Sequence, residues 1–144
     1  MKSMNLHRLR LPFLLKILLI STIATLVVAV IELLLEQALF HSYRMYIIWD
    51  ALMNENSLGS HLIPLTMAWG EGALAIDIGK RQPLRTIFHT SSLWILVLCL
   101  HLGIFVKILL GTPQLIINYP NAMTSTGIVI GVFVAGEKYW TKRW

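Results

Sequence analysis

The chain is dominated by long runs of apolar positions broken at a few points by prolines, glycines and basic clusters. A bilayer core of about 30 Å needs roughly 20 mostly apolar residues in helical form. Four stretches approach or exceed that length: about 12–39, 62–79, 86–110 and 122–140. The first is longer than a crossing requires. The second is the shortest and most polar. The pattern predicts an all-α, integral membrane four-helix bundle formed by one polytopic domain over 1–144.

Between the first two stretches, residues 41–60 are too polar to continue a span. Tyr43, Tyr46 and Trp49 are the residue types that gather at headgroup depth. Ile47, Ile48, Leu52 and Met53 are spaced to give the apolar face of a short interfacial helix, ended by the Asn54–Gly59 stretch. Pro64 is expected in the first turn of the second span, where a missing N–H is harmless.

Basic residues fix an orientation. Lys2, Arg8, Arg10 and Lys16 stand at the start of the first span, Lys80, Arg81 and Arg85 follow the second, and Lys138, Lys142 and Arg143 end the chain. Ten of the 12 Lys and Arg residues thus fall on one side, leaving Arg44 and Lys107 elsewhere. The positive-inside rule then puts both termini in the cytoplasm, with four crossings of an inner cell membrane. A basic start followed by an apolar run also describes a signal peptide. Here the run exceeds the roughly 7–15 residues of such a segment, and no small-x-small cleavage site follows before Glu32, so an uncleaved first span is expected.

Composition sharpens the class. The chain is 56% hydrophobic and 13% charged, against about 25% charged residues in soluble domains. That excludes an ordinary soluble enzyme, a disordered tail and a nucleic-acid-binding module, despite a net charge of +5. The single cysteine, Cys99, excludes a disulfide framework and a cysteine-based zinc site.

Ionisable residues inside spans cost about 2.5–3.5 kcal/mol each at the helix centre, so they carry the candidate chemistry. At 100° per residue, Ser21, Thr25, Glu32 and Glu36 lie within about 60° of one another on the first span. On the second, Thr66, Gly70, Ala73 and Asp77 share a face from which Glu71 points away. On the third, His89, Ser92, Leu96, Cys99, Gly103 and Lys107 fall on one side, with His101 well off it. Glu32, Glu36, Glu71, Asp77 and Lys107 are therefore candidates for an ion pathway or for interhelical ion pairs. Lys107 is expected to pair with Glu32 or Glu36, or else to reach headgroups, and Asp77 to pair with Lys80 or Arg81. Gly127, Gly131 and Ala135, at four-residue spacing, form a small-xxx-small packing face. Lys80, Arg81 and Arg85 are the candidate contacts for anionic lipid headgroups.

Other chemistry finds no pattern to rest on. His89 and His101, twelve residues apart, face about 120° from each other and cannot share a ligand face. His101 has only His41 and His61 as possible haem partners, and both fall near the outer boundary. No repeated Glu-x-x-His pair, phosphate loop or nucleophile triad is present. No cofactor, metal site or catalytic residue is expected.

Residues of the later half resemble the phosphate-starvation-inducible E (PsiE) family of small four-span bacterial membrane proteins. The resemblance is carried by the Pro83-Leu84-Arg85 turn, Glu71 upstream of it, Lys107 late in the third span, the Thr112-Pro113 step and a fourth span with a basic tail. The chain departs from that pattern in a longer third span and a more extended outer loop. The resemblance implies a small inner-membrane protein linked to stress, and no defined activity. Two functions fit these features. One is a non-enzymatic component of a membrane complex or homo-oligomer. The other is a small channel or ion-coupled transporter with intramembrane carboxylates along its path.

Overall fold

The computed structural model describes residues 6–81, 90–112, 115–116 and 121–140. All regular structure among them is helical: α1 (Leu6–His41), α2 (Tyr43–Met53), α3 (Gly59–Lys80), α4 (Thr90–Leu109), α5 (Ala122–Ala135) and a single turn, α6 (Glu137–Trp140). Two helical stretches, Pro12–His41 and Thr90–Leu109, are long and apolar enough to cross a membrane. The 22 residues of α3 have the length but include Glu71, Asp77 and Lys80, and α5 is apolar but only 14 residues long.

Helix α1 packs on α3 and α4, and α5 packs on the same two, with α3–α5 the most extensive pairing. Directions follow from register. Thr25 lies against Gly103 and Glu32 against Lys107, so α1 and α4 run parallel. Gly127 meets Leu65 and Ala68 while Gly131 meets Trp69, so α3 and α5 also run parallel. The α4–α5 contacts run in opposite order, with His101 on Ser125 and Leu93 on Gly136. Trp94 and Phe133 add an aromatic contact with centroids 5.0 Å apart.

The interior is built from stripes at helical spacing. Ile17, Ile20, Ala24 and Val28 line one side of α1, and Leu93, Leu96, Leu100 and Ile104 line one side of α4. Ala68, Ala75 and Ile76 from α3 and Ile128 and Val132 from α5 complete it. The next positions along the α1 and α4 stripes are Glu32 and Lys107, both buried. Large apolar side chains point outward instead, among them Leu15, Leu26 and Leu34 of α1 and Leu98, Leu102 and Leu109 of α4.

The α3–α5 contact depends on small residues. A Cβ at Gly131 would collide with Trp69 O, one at Gly127 would fall 2.6 Å from Leu65 O, and one at Gly72 2.7 Å from Ile128 O. Gly127 and Gly131 of α5 are buried against α3, which carries buried Ala68, Gly72, Ala75 and Gly79. Ala135, half-buried at the end of α5, offers its carbonyl to Lys80 Nζ at 3.4 Å.

Two boundaries differ from expectation. The fourth apolar stretch is interrupted at Gly136, which caps α5 with its N–H on Val132 O before α6 begins. Helix α3 starts at Gly59, so Pro64 is its sixth residue rather than part of its first turn. The early start comes from the tight α2–α3 connection. Ser57 donates to Leu52 O at 2.6 Å, Ser60 donates to Ser57 O at 2.8 Å, and a Cβ on Gly59 would collide with Leu52 O. Helix α2 forms over the predicted segment. It buries no residue fully and rests Trp49 and Met53 on the core while Ile47, Ile48 and Leu52 stay exposed.

Candidate functional site

Four polar side chains from three helices meet inside the apolar interior. Glu32 and Thr25 come from α1, Glu71 from α3 and Lys107 from α4. Glu32 Oε2 accepts from Lys107 Nζ in an ion pair whose side chains are 0% and 3% exposed. The second oxygen, Oε1, accepts the backbone N–H of Ile116 at 3.3 Å. A buried charge needs both a counter-charge and hydrogen bonds for its remaining lone pairs, and Glu32 has both. The loop after α4 supplies the part that the helices cannot.

Lys107 is held at its own end by the way α4 stops. Gly111 adopts φ +65°, a conformation glycine reaches without steric cost. Its N–H bonds Ile108 O at 3.1 Å and the Thr112 N–H bonds Lys107 O at 3.4 Å. These two bonds make a Schellman termination, which satisfies carbonyls otherwise orphaned at a helix end. Thr112 adds its hydroxyl, donating to Lys107 O at 2.9 Å.

Glu71 is less completely answered. Thr25 Oγ1 donates to its Oε1 at 2.9 Å, and Lys107 and Glu32 lie within electrostatic range. Glu71 is 1% exposed, yet its Oε2 has no hydrogen-bond partner. Among the described residues, Thr124 Oγ1 is the other buried side-chain oxygen in that condition. On its other side Thr25 lies against α4 at Gly103, where a Cβ would stand 2.6 Å from Thr25 Oγ1.

Not every candidate joins this cluster. Glu36 is only half-buried. Asp77 is exposed and bonds Arg81 at 3.0 Å, one turn away on the same helix. Thr66 and Gly70, grouped with Asp77 on one face, are exposed as well, and it is the opposite face carrying Glu71 that turns inward. Of the basic trio, Lys80 is directed at the C-terminal carbonyl of α5, where the helix dipole favours a cation, and Arg81 is engaged by Asp77. Arg85 and His89 lie outside the described residues.

His101 has its own satisfied pair. Because a carbonyl can only accept, Nδ1–H donates to Val97 O at 2.8 Å, leaving Nε2 to accept from Ser125 Oγ at 3.0 Å. Its partner is thus a serine on α5, not His41 or His61. Among the described residues no group of three or more His, Cys, Asp or Glu side chains is placed to hold a metal ion. Sequence reading did not find the Ile116 amide or the Thr25–Glu71 bond; the line of Thr25 and Glu32 on one face was the available signal.

Compared with known proteins, the chain matches no family model, no curated protein and no solved structure.

Proposed function

We propose that the chain is a multi-pass protein of a cell inner membrane and a non-enzymatic component of a membrane complex or homo-oligomer. In this reading α1, α3, α4 and α5 with α6 cross the bilayer as a four-helix bundle with both termini cytoplasmic. Its distribution of side chains supports it: leucines such as Leu34 and Leu98 are exposed while Glu32, Glu71 and Lys107 are buried. That arrangement suits a hydrocarbon surrounding and is costly in water. Helix α2 then lies in the outer interface, and Lys80, Arg81 and Arg85 are the basic residues on the cytoplasmic side available to anionic headgroups. The likeness to the PsiE family belongs to the same proposal.

The observation that carries the component role is the closed Glu32–Lys107 pair. A carboxylate bound at both oxygens to a lysine and a backbone amide is a structural tie between α1, α4 and the following loop. It leaves the lipid-facing surfaces of α1 and α4 as docking faces for a partner or a second copy. Native mass spectrometry of the protein extracted in mild detergent tests this. The proposal predicts a defined oligomer or a co-extracted partner; a monomer at all concentrations, alone, contradicts it.

A second reading, an ion- or proton-coupled transporter, is favoured by one feature, the unanswered Oε2 of buried Glu71. It predicts flux in proteoliposomes that Glu71→Gln abolishes. Absence of flux with wild-type protein would remove it.

A further inference from the structure

A groove of about 570 Å³ runs between α1 and α3, walled by Val27, Ile31, Leu62 and Met67 and including Gly70 and Glu71. Its volume is that of a small-molecule site, and its character is the usual one of apolar walls with few polar groups. We propose that this groove binds a lipophilic primary or secondary amine, whose ammonium bonds Glu71 and whose apolar body lies between α1 and α3.

Three observations lead to that ligand class. First, Glu71 lines the groove and is the residue whose second carboxylate oxygen has no donor. Second, the groove offers acceptors and no cation of its own. Thr66 lines it too, and its hydroxyl proton is already given to Leu62 O at 2.7 Å. An ammonium with N–H groups fits this lining, whereas a quaternary cation brings no donor and an anion meets only acceptors. Third, the position of Glu71 selects a lipophilic molecule over a lipid headgroup. It is thirteenth of the 22 residues of α3, about 18 Å along the helix from its start and about 14 Å from its end at 1.5 Å per residue. A headgroup amine does not reach that depth.

The neighbouring charges are compatible with an added cation. Glu32 and Lys107 neutralise each other, so Glu71 is the remaining acidic group of the cluster. The site depends only on the α1–α3 packing and on Glu71. It is separate from the component role and, being tested by binding rather than flux, also from the transport reading.

The test uses full-length protein in detergent and equilibrium dialysis with 1-naphthylmethylamine as probe, against 1-naphthylmethanol as the uncharged isostere. The amine should bind at least tenfold more tightly than the alcohol, and Glu71→Gln should remove that difference while leaving alcohol binding as it was. Gly70→Leu provides a second variant, because Gly70 lines the groove and a Cβ there meets nothing within 4 Å, so the added side chain has the groove to occupy. It should weaken both probes at least tenfold. Equal binding of amine and alcohol, amine binding indifferent to Glu71→Gln, or a second copy of the chain that occupies the groove and excludes the amine would each overturn the proposal.

Discussion

Glu32 and Lys107, 75 positions apart in sequence, form an ion pair at the point where the buried stripes of α1 and α4 would otherwise continue with apolar residues. Removing one partner leaves an uncompensated buried charge, which costs about 3–5 kcal/mol, while replacing both with apolar side chains of similar volume is often neutral or stabilising. Lys107→Met and Glu32→Met should each lower unfolding stability by about that amount, and the double variant should recover most of it. Denaturant titration of the four proteins measures the coupling; additive losses would mean that the pair contributes no tie.

The α3–α5 contact makes a sharper steric prediction. A methyl group at Gly131 collides with the Trp69 backbone carbonyl, and backbone atoms cannot step aside as a flexible side chain can. Gly131→Ala should destabilise by about 1–3 kcal/mol, the usual cost of overpacking, whereas Gly70→Ala, which meets open space, should be nearly silent. Thermal melts of the two variants side by side decide it.

How much of this was legible follows from the same helices. The candidate residues Glu32, Glu71 and Lys107 stood out because charge inside an apolar run needs a reason, but their common end of the long helices left Lys107 with either Glu32 or Glu36 as a partner, and only the packing of α1 on α4 selects Glu32. The inward face of α3 was harder. An apolar residue occupies both its inner and outer sides, so polarity did not separate them, and Thr66, Gly70 and Asp77 formed a plausible but outward stripe. The usable signal was size: Ala68, Gly72, Ala75 and Gly79 recur at helical spacing. The Ile116 amide on Glu32 depends on the path of a loop, which no local pattern encodes. Gly136 did carry a helix-end signal, overshadowed by the apolar run on which the fourth span was drawn.

Thr25 is the polar partner of Glu71 in this fold. Thr25→Val keeps the shape and removes the donor, leaving both carboxylate oxygens unanswered, at a cost of about 1–3 kcal/mol. Thr25→Ser should retain most of the stability. In a Glu71→Leu background Thr25→Val should cost little, and a full penalty there would show that the hydroxyl serves something other than Glu71.

The end of α4 depends on Gly111 at φ +65°. Gly111→Ala should destabilise by about 1 kcal/mol and Gly111→Asn by less, because asparagine tolerates the left-handed region better. Equal effects in unfolding titrations would argue that the termination seen here does not set the stability of this end.

The central claim is that the chain threads a bilayer four times with its ends on one side. Single cysteines introduced by Ser3→Cys, Asn56→Cys, Arg81→Cys and Lys138→Cys in a Cys99→Ser background can be probed with a membrane-impermeant thiol reagent in oriented vesicles. Labelling of positions 3, 81 and 138 from the cytoplasmic face alone, and of position 56 from the opposite face alone, is the predicted result. Labelling of positions 3 and 138 from opposite faces, or of all four from both, would contradict the account.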